Sequence, residues 1–201
     1  WVAYDRAARI ARDRGLPGPL IGWLETRDQI FHEIMRRGYS TRRQAFVQVL
    51  DGDRLDASNL LMPLVRFIAP RDTRMLSTLA AIRDELVEDS LVYRYDPHLA
   101  AADGVGGEEG TFSICSFWWV EALARAGELD EARLTFEKML TYANPLGLYA
   151  EELGRSAEAL GNFPQGFTHL ALISSAYNLD RALDHPHLAT GRIEAPLLGP
   201  P

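Results

Sequence analysis

Two adjacent carboxylates, Glu151 and Glu152, follow the apolar approach Leu148-Tyr149-Ala150 in the run GLYAEELGRSAEALGNFPQGFTHLAL (147–172). Read by composition alone, the pair is an acidic turn in solvent. The Gly-led approach argues for a second reading, in which Gly147 carries the backbone out of an apolar wall. Neighbouring residues of an extended loop point in opposite directions. One carboxylate can then face a cavity while the other accepts supporting hydrogen bonds. Hydrolysis of a glycosidic bond needs such a cavity-facing acid, opposed by a second acid across the sugar. A site assembled from the long loops of this chain would add Arg94, Glu108 and Glu109, a carboxylate-rich set with one guanidinium.

Other chemistries find less support. GVGGEEG (104–110) lacks the preceding strand and the helix spacing of a phosphate loop. His32-Glu33 has no second histidine four residues on, so the zinc-binding helix motif is absent and no metal is expected. Ser113 and Ser116 have no His and acid partners in pattern. The lone cysteine, Cys115, sits in FSICSFWW and reads as a buried, inert thiol. The aromatic stripe Phe112, Phe117, Trp118, Trp119 reads as core, with an N-terminal end able to line a pocket. No cofactor is expected.

The elements that must position these residues are mainly helical. Trp1, Tyr4, Ala8 and Ala11 follow helical spacing, and GLPGP (15–19) breaks that helix. A second helix runs from Leu24 to Gly38. RRQAFVQVL has strand-like content, and DGDR after it is a turn. Asp56 is placed to cap an apolar helix ASNLLMPLVRFIA, which Pro63 should bend. Pro70 and Asp72 open the helix TRMLSTLAAIRDEL, and SLVYRY is a brief extended piece. A glycine-bearing loop then leads to two helices divided at Gly127, and FTHLALISSAYNLDRAL is the last. Beyond Asp184 the chain is Pro-rich and reads as an irregular tail (185–201). Short and long connections alternate, the pattern of helix pairs packed side by side with their long loops gathered at one end. The loops 96–110 and 144–162 are expected to share that end.

The bulk numbers suit one globular domain: 201 residues, 47% hydrophobic and 24% charged. A net charge of −7 without a Lys/Arg run argues against nucleic acid as a partner. No stretch approaches the roughly 20 apolar residues that cross a bilayer, and no basic-then-apolar leader opens the chain. The expected setting is cytoplasmic, with no membrane partner. The chain opens without Met and already in helical register, which reads as a portion of something longer.

Four stretches resemble glycoside hydrolase family 15, the glucoamylase-like enzymes, and especially their prokaryotic glucoamylase and trehalase members. They are LDASNLLMPLVRFIAPRD (55–72), YRYD with GGEEGTFSICSFWWVEALARAGELDEA (93–132), NPLGLYAEEL (144–153) and GNFPQGFTHLALISSAYNLD (161–180). The likeness covers most of residues 1–184 in the family's order. It implies an all-α fold, residues 1–184 forming roughly the second half of an (α/α)6 barrel whose loops make a glucose pocket. It also implies hydrolysis of an α-glucosidic bond (trehalose, maltose or an α-glucan) with inversion by two glutamates. Glu151 matches the general base in the motif Gly-x-x-x-Glu-(Gln/Glu), and Glu152, which stands where many relatives carry Gln, supports the loop or binds the sugar. Arg94 and Tyr95 match the Arg-Tyr motif that binds sugar hydroxyls, and Glu109 heads the EGTF motif as a pocket acid. The family's general acid sits in a Trp-Glu motif that this chain does not contain. The resemblance therefore implies a fragment that is inactive alone, partnered by an N-terminal half-barrel or self-associating into a homo-oligomer.

Two other readings compete. The AGELDEA helix pair resembles a tetratricopeptide unit, which would make the chain a protein-binding scaffold, but no second copy recurs at 34 residues. A barrel relative that binds a glycan without cleaving it is the other.

Overall fold

The computed structural model describes residues 1–96 and 109–185. Glu108, most of the glycine-bearing loop and the Pro-rich tail after His185 lie outside the described residues.

Helix ends follow their local chemistry. The first helix, α1 (Val2–Arg14), stops at Gly15, and α5 (Ser113–Ala126) stops at Gly127. Both glycines take the left-handed conformation, where a side chain would be strained. Helix α2 (Leu20–Glu33) runs into a single π-turn, Ile34–Gly38. Asp72 accepts from the Arg74 N–H and caps α4 (Thr73–Leu86). Helices α6 (Leu129–Leu140) and α7 (Gly166–Asp184) complete the set.

One expected helix is cut short. Asp56 does act as a cap, accepting from Ser58 N–H at 2.7 Å. The segment after it is a 3-10 turn, Ala57–Leu60, then α3 (Leu61–Leu64). It does not run on to Ala69, because Arg66 adopts a left-handed φ of 63° and the Phe67 N–H turns back to the Met62 carbonyl. That turn sends Phe67 and Ile68 into the core.

Among the described residues there are seven α-helices, and the strands are two residues each. The strand-like RRQAFVQVL supplies β2 (Ala45–Phe46), paired antiparallel with β1 (Tyr39–Ser40). The extended piece SLVYRY supplies β4 (Leu91–Val92), paired with β3 (Val87–Glu88). A small antiparallel sheet joins β5 (Thr111–Phe112), β6 (Glu152–Leu153) and β7 (Ala159–Leu160), with β6 in the middle.

Helix α5 is the hub. Its sequence is apolar nearly all round, and it packs against α3, α4, α6 and α7. Trp119, Val120 and Leu123 are fully buried in a core shared with Met75, Leu79 and Ile82 of α4. One buried acid joins α5 to α7. Glu121 on α5 accepts from Ser174 and Asn178 of α7, at 2.7 and 3.0 Å, and pairs with Arg125 at 2.7 Å. The α1–α2 pair is tied to the body by Arg6, whose guanidinium donates to the Val65 carbonyl at the end of α3.

Candidate active site

Glu151 lies immediately before β6, and its backbone continues the ladder on both sides. Its carbonyl accepts from Ser113 N–H at 2.9 Å, and its own N–H donates to the Asn162 carbonyl at 3.0 Å. The approach to it is equally fixed. Asn144 Oδ1 gathers the N–H groups of Leu146 and Leu148, closing the turn at Gly147. Tyr149 is buried edge-on to Phe117, its N–H donates to His169 and its carbonyl accepts from Gln165. The apolar approach is thus a wall seated on the start of α7.

The strand pleat then separates the two acids. Glu152 turns to the β5 side, where its carboxylate accepts from Gly110 N–H at 3.0 Å. Burial raises its pKa above the ordinary carboxylate value, although the Gly110 bond pulls the other way. Glu151 faces the opposite side and lines a cavity of about 290 Å3. Its neighbours around that cavity include Asp56, Ser58, Arg94, Phe112, Trp118 and Gln165. A pocket of this volume, lined by aromatic rings, carboxylates and a guanidinium, suits a single sugar ring.

Arg94 is held from three directions. Its guanidinium stacks over Tyr95 at 4.6 Å and over Phe112 at 4.8 Å. It pairs with Glu109, which also accepts from the Tyr95 hydroxyl at 3.0 Å. The Arg94 carbonyl accepts from Ala57 N–H at 2.8 Å, which couples this strand end to the Asp56 turn. Burial disfavours a charged Arg94, but the Glu109 charge and the Tyr95 hydroxyl together outweigh it and raise its pKa.

The structure therefore brings Glu151 and Arg94 together on one cavity. Tyr95 and Glu109 stand behind Arg94, and Glu109 lines a separate groove of about 570 Å3 beside Tyr93 and Arg155. Glu152 is not among the residues lining the Glu151 cavity. The aromatic stripe divides as its spacing allows: Phe112 and Trp118 line the cavity, and Phe117 and Trp119 are core. Cys115 reaches the cavity wall but is buried, and burial pushes its thiol up to about 12, so it stays protonated. Sequence reasoning gave Asp56 only a capping role and gave Gln165 none; both stretches had been singled out, but nothing in their spacing marks a pocket wall. Of the two long loops, the described end of the first, Glu109–Gly110, meets the second at Glu152–Leu153. No group of metal-binding side chains occurs among the described residues, and no described helix is long and apolar enough to cross a membrane.

The family model described as Glycosyl hydrolases family 15 matches residues 1–177. The chain belongs to that family. Within it, the chain is 48% identical over 183 residues to the trehalase of Mycobacterium tuberculosis, covering 90% of this chain and 27% of that protein. It is 37% identical over 183 residues to the trehalase of Thermoplasma acidophilum, covering 90% of this chain and 31% of the relative. The chain thus spans less than a third of the length of these relatives. Solved glycosidases share its fold: one superposes at a TM-score of 0.66 and 20% identity, over 80% of this chain and 45% of that one. Another, solved as a variant in complex with glucose, gives 0.67 at 19% identity. The helices α1–α7 form part of a helical barrel of this family's type, and membership of the family does not favour the scaffold reading.

Proposed function

We propose that this chain carries the general-base side of an inverting hydrolase acting on trehalose or a closely related α-glucoside. The observation that carries the reading is Glu151: an acid fixed at a strand end that lines a sugar-sized cavity together with Arg94. In the reaction, water attacks the anomeric carbon and passes a proton to Glu151 as the bond to the leaving oxygen breaks. A second carboxyl protonates that oxygen. Inverting enzymes hold the two carboxyl groups roughly 6.5–9.5 Å apart, leaving room for the water. The second acid, the general acid, comes from outside this chain, which accords with the chain's spanning 27% of its mycobacterial relative.

Arg94 binds sugar hydroxyls. Its planar fork is held by two aromatic faces and by Glu109, so little entropy is lost when it engages substrate. Tyr95 and Glu109 act through Arg94 rather than on the sugar. Glu152 supports the loop. The relatives named trehalase favour trehalose over maltose or longer glucans as substrate. The apolar stripe Phe167, Leu170, Ile173 and Tyr177 on α7 is exposed here and would be covered by the rest of the barrel.

The stereochemistry gives the test. Proton NMR during the first minutes of trehalose hydrolysis by a full-length protein containing this chain should show β-glucose and α-glucose released in equal amounts. Release of α-glucose alone would mean retention and would exclude a base-activated water at Glu151.

A further inference from the structure

We infer that Asn162 is a positioning residue for Glu151, and that with Gly161 it commits one carboxylate oxygen to the protein so that the other is presented to water. The inference rests on the reading of Glu151 as the base. Three hydrogen bonds join residues 151 and 162. The Glu151 N–H donates to the Asn162 carbonyl at 3.0 Å. In return, Glu151 Oε2 accepts from the Asn162 backbone N–H at 2.9 Å and from its side-chain Nδ2 at 2.8 Å. An ionised carboxylate only accepts, so the amide must present its NH2 group.

Both donors fall on the same oxygen. Oε1 accepts from no described protein donor, which leaves it for the attacking water. Gly161 makes the arrangement possible. It has a φ of 71°, and a Cβ there would lie 2.8 Å from Oε2 and 3.0 Å from the Glu151 Cβ. Any side chain would push the carboxylate off its seat. Asn162 is not among the residues lining the Glu151 cavity; it acts by fixing the Glu151 rotamer. A base that turns freely loses the alignment on which the rate depends.

The experiment uses a full-length protein containing this chain, with steady-state kinetics on trehalose and on α-glucosyl fluoride. Fluoride departs without help from an acid, so the second substrate isolates the base side. Asn162→Ala should lower kcat roughly tenfold on both substrates, from the loss of one charge-assisted bond, with KM within about twofold. Asn162→Asp, the same shape with no donor at neutral pH, should be at least as slow. Gly161→Ala should lower kcat by an independent route. Glucose affinity and the melting curve, measured beside each variant, separate a positioning loss from a folding loss. Wild-type kcat for Asn162→Ala on both substrates, or a loss confined to KM, overturns the inference. Glu151→Gln run in parallel distinguishes the two ideas: if it is inactive while Asn162→Ala is normal, only the positioning role fails. If Glu151→Gln itself turns over normally, the reading of the base fails.

Discussion

Glu151 and Glu152 show how one strand end gives two identical side chains different work. The pleat sends Glu151 to the cavity and Glu152 into the sheet, where it is desolvated against Gly110. Because burial raises the Glu152 pKa, the folded state binds its proton more tightly than the unfolded chain does. That proton's contribution to stability is present below the unfolded value of about 4.5 and is lost as pH rises through the raised folded value. Glu152→Gln keeps an acceptor for Gly110 and removes the buried charge. Its melting temperature relative to wild type should therefore rise between pH 4 and pH 7, with turnover only mildly reduced. A melting difference that stays flat or falls with pH would contradict the desolvation account. The opposed directions of the pair were legible in the sequence, since alternation follows from extended backbone alone. The partners were not: Asn162, Gly110 and Gln165 are remote in sequence, and no periodicity links a turn amide to a carboxylate eleven residues before it.

At the level of elements, α5 decides the shape. Its apolar run predicts a buried helix, and the structure makes it the hub for α3, α4, α6 and α7. What the run conceals is Glu121, which reads as a surface acid four residues before Arg125 yet is buried and clasped by Ser174 and Asn178. Removing it takes an acceptor from Arg125, Ser174 and Asn178, leaving Arg125 only the Asn178 Oδ1 and Asn178 the Ser174 oxygens. Glu121→Ala should cost about 3 kcal/mol of stability in urea unfolding, with Glu121→Gln much milder; equal, small losses would show that the α5–α7 contact stands on apolar packing alone. The helix order and the capping at Asp56 and Asp72 were likewise readable from residue type. The early stop after Leu64 was not, because it depends on Arg66 taking a left-handed φ that its side chain does not favour.

Over the whole molecule, α7 is apolar on two faces. Thr168, Ala171, Ser175 and Leu179 pack inward, while Phe167, Leu170, Ile173 and Tyr177 are each more than 60% exposed. Such a stripe exceeds the scattered apolar exposure of ordinary surfaces. Expressed by itself, the 201-residue chain should self-associate through this face, and Leu170→Glu with Ile173→Glu should shift it towards monomer. Light scattering across a concentration series checks this, and a concentration-independent monomer before mutation would contradict it. The same stripe reaches the Glu151 cavity at Phe167, so on the proposed reading whatever covers the stripe also closes the pocket.

The central claim is that Glu151 takes the proton from water. Its most direct measurement is the turnover of Glu151→Gln in a full-length protein containing this chain, beside its affinity for glucose. The amide keeps the shape and an acceptor for Asn162 N–H but cannot receive the proton. The account predicts kcat lower by at least about a thousandfold with glucose affinity within a few fold of wild type, and only a mild effect for Glu152→Gln. Near-normal turnover for Glu151→Gln together with abolished turnover for Glu152→Gln would contradict it, and would move the base one residue along the strand.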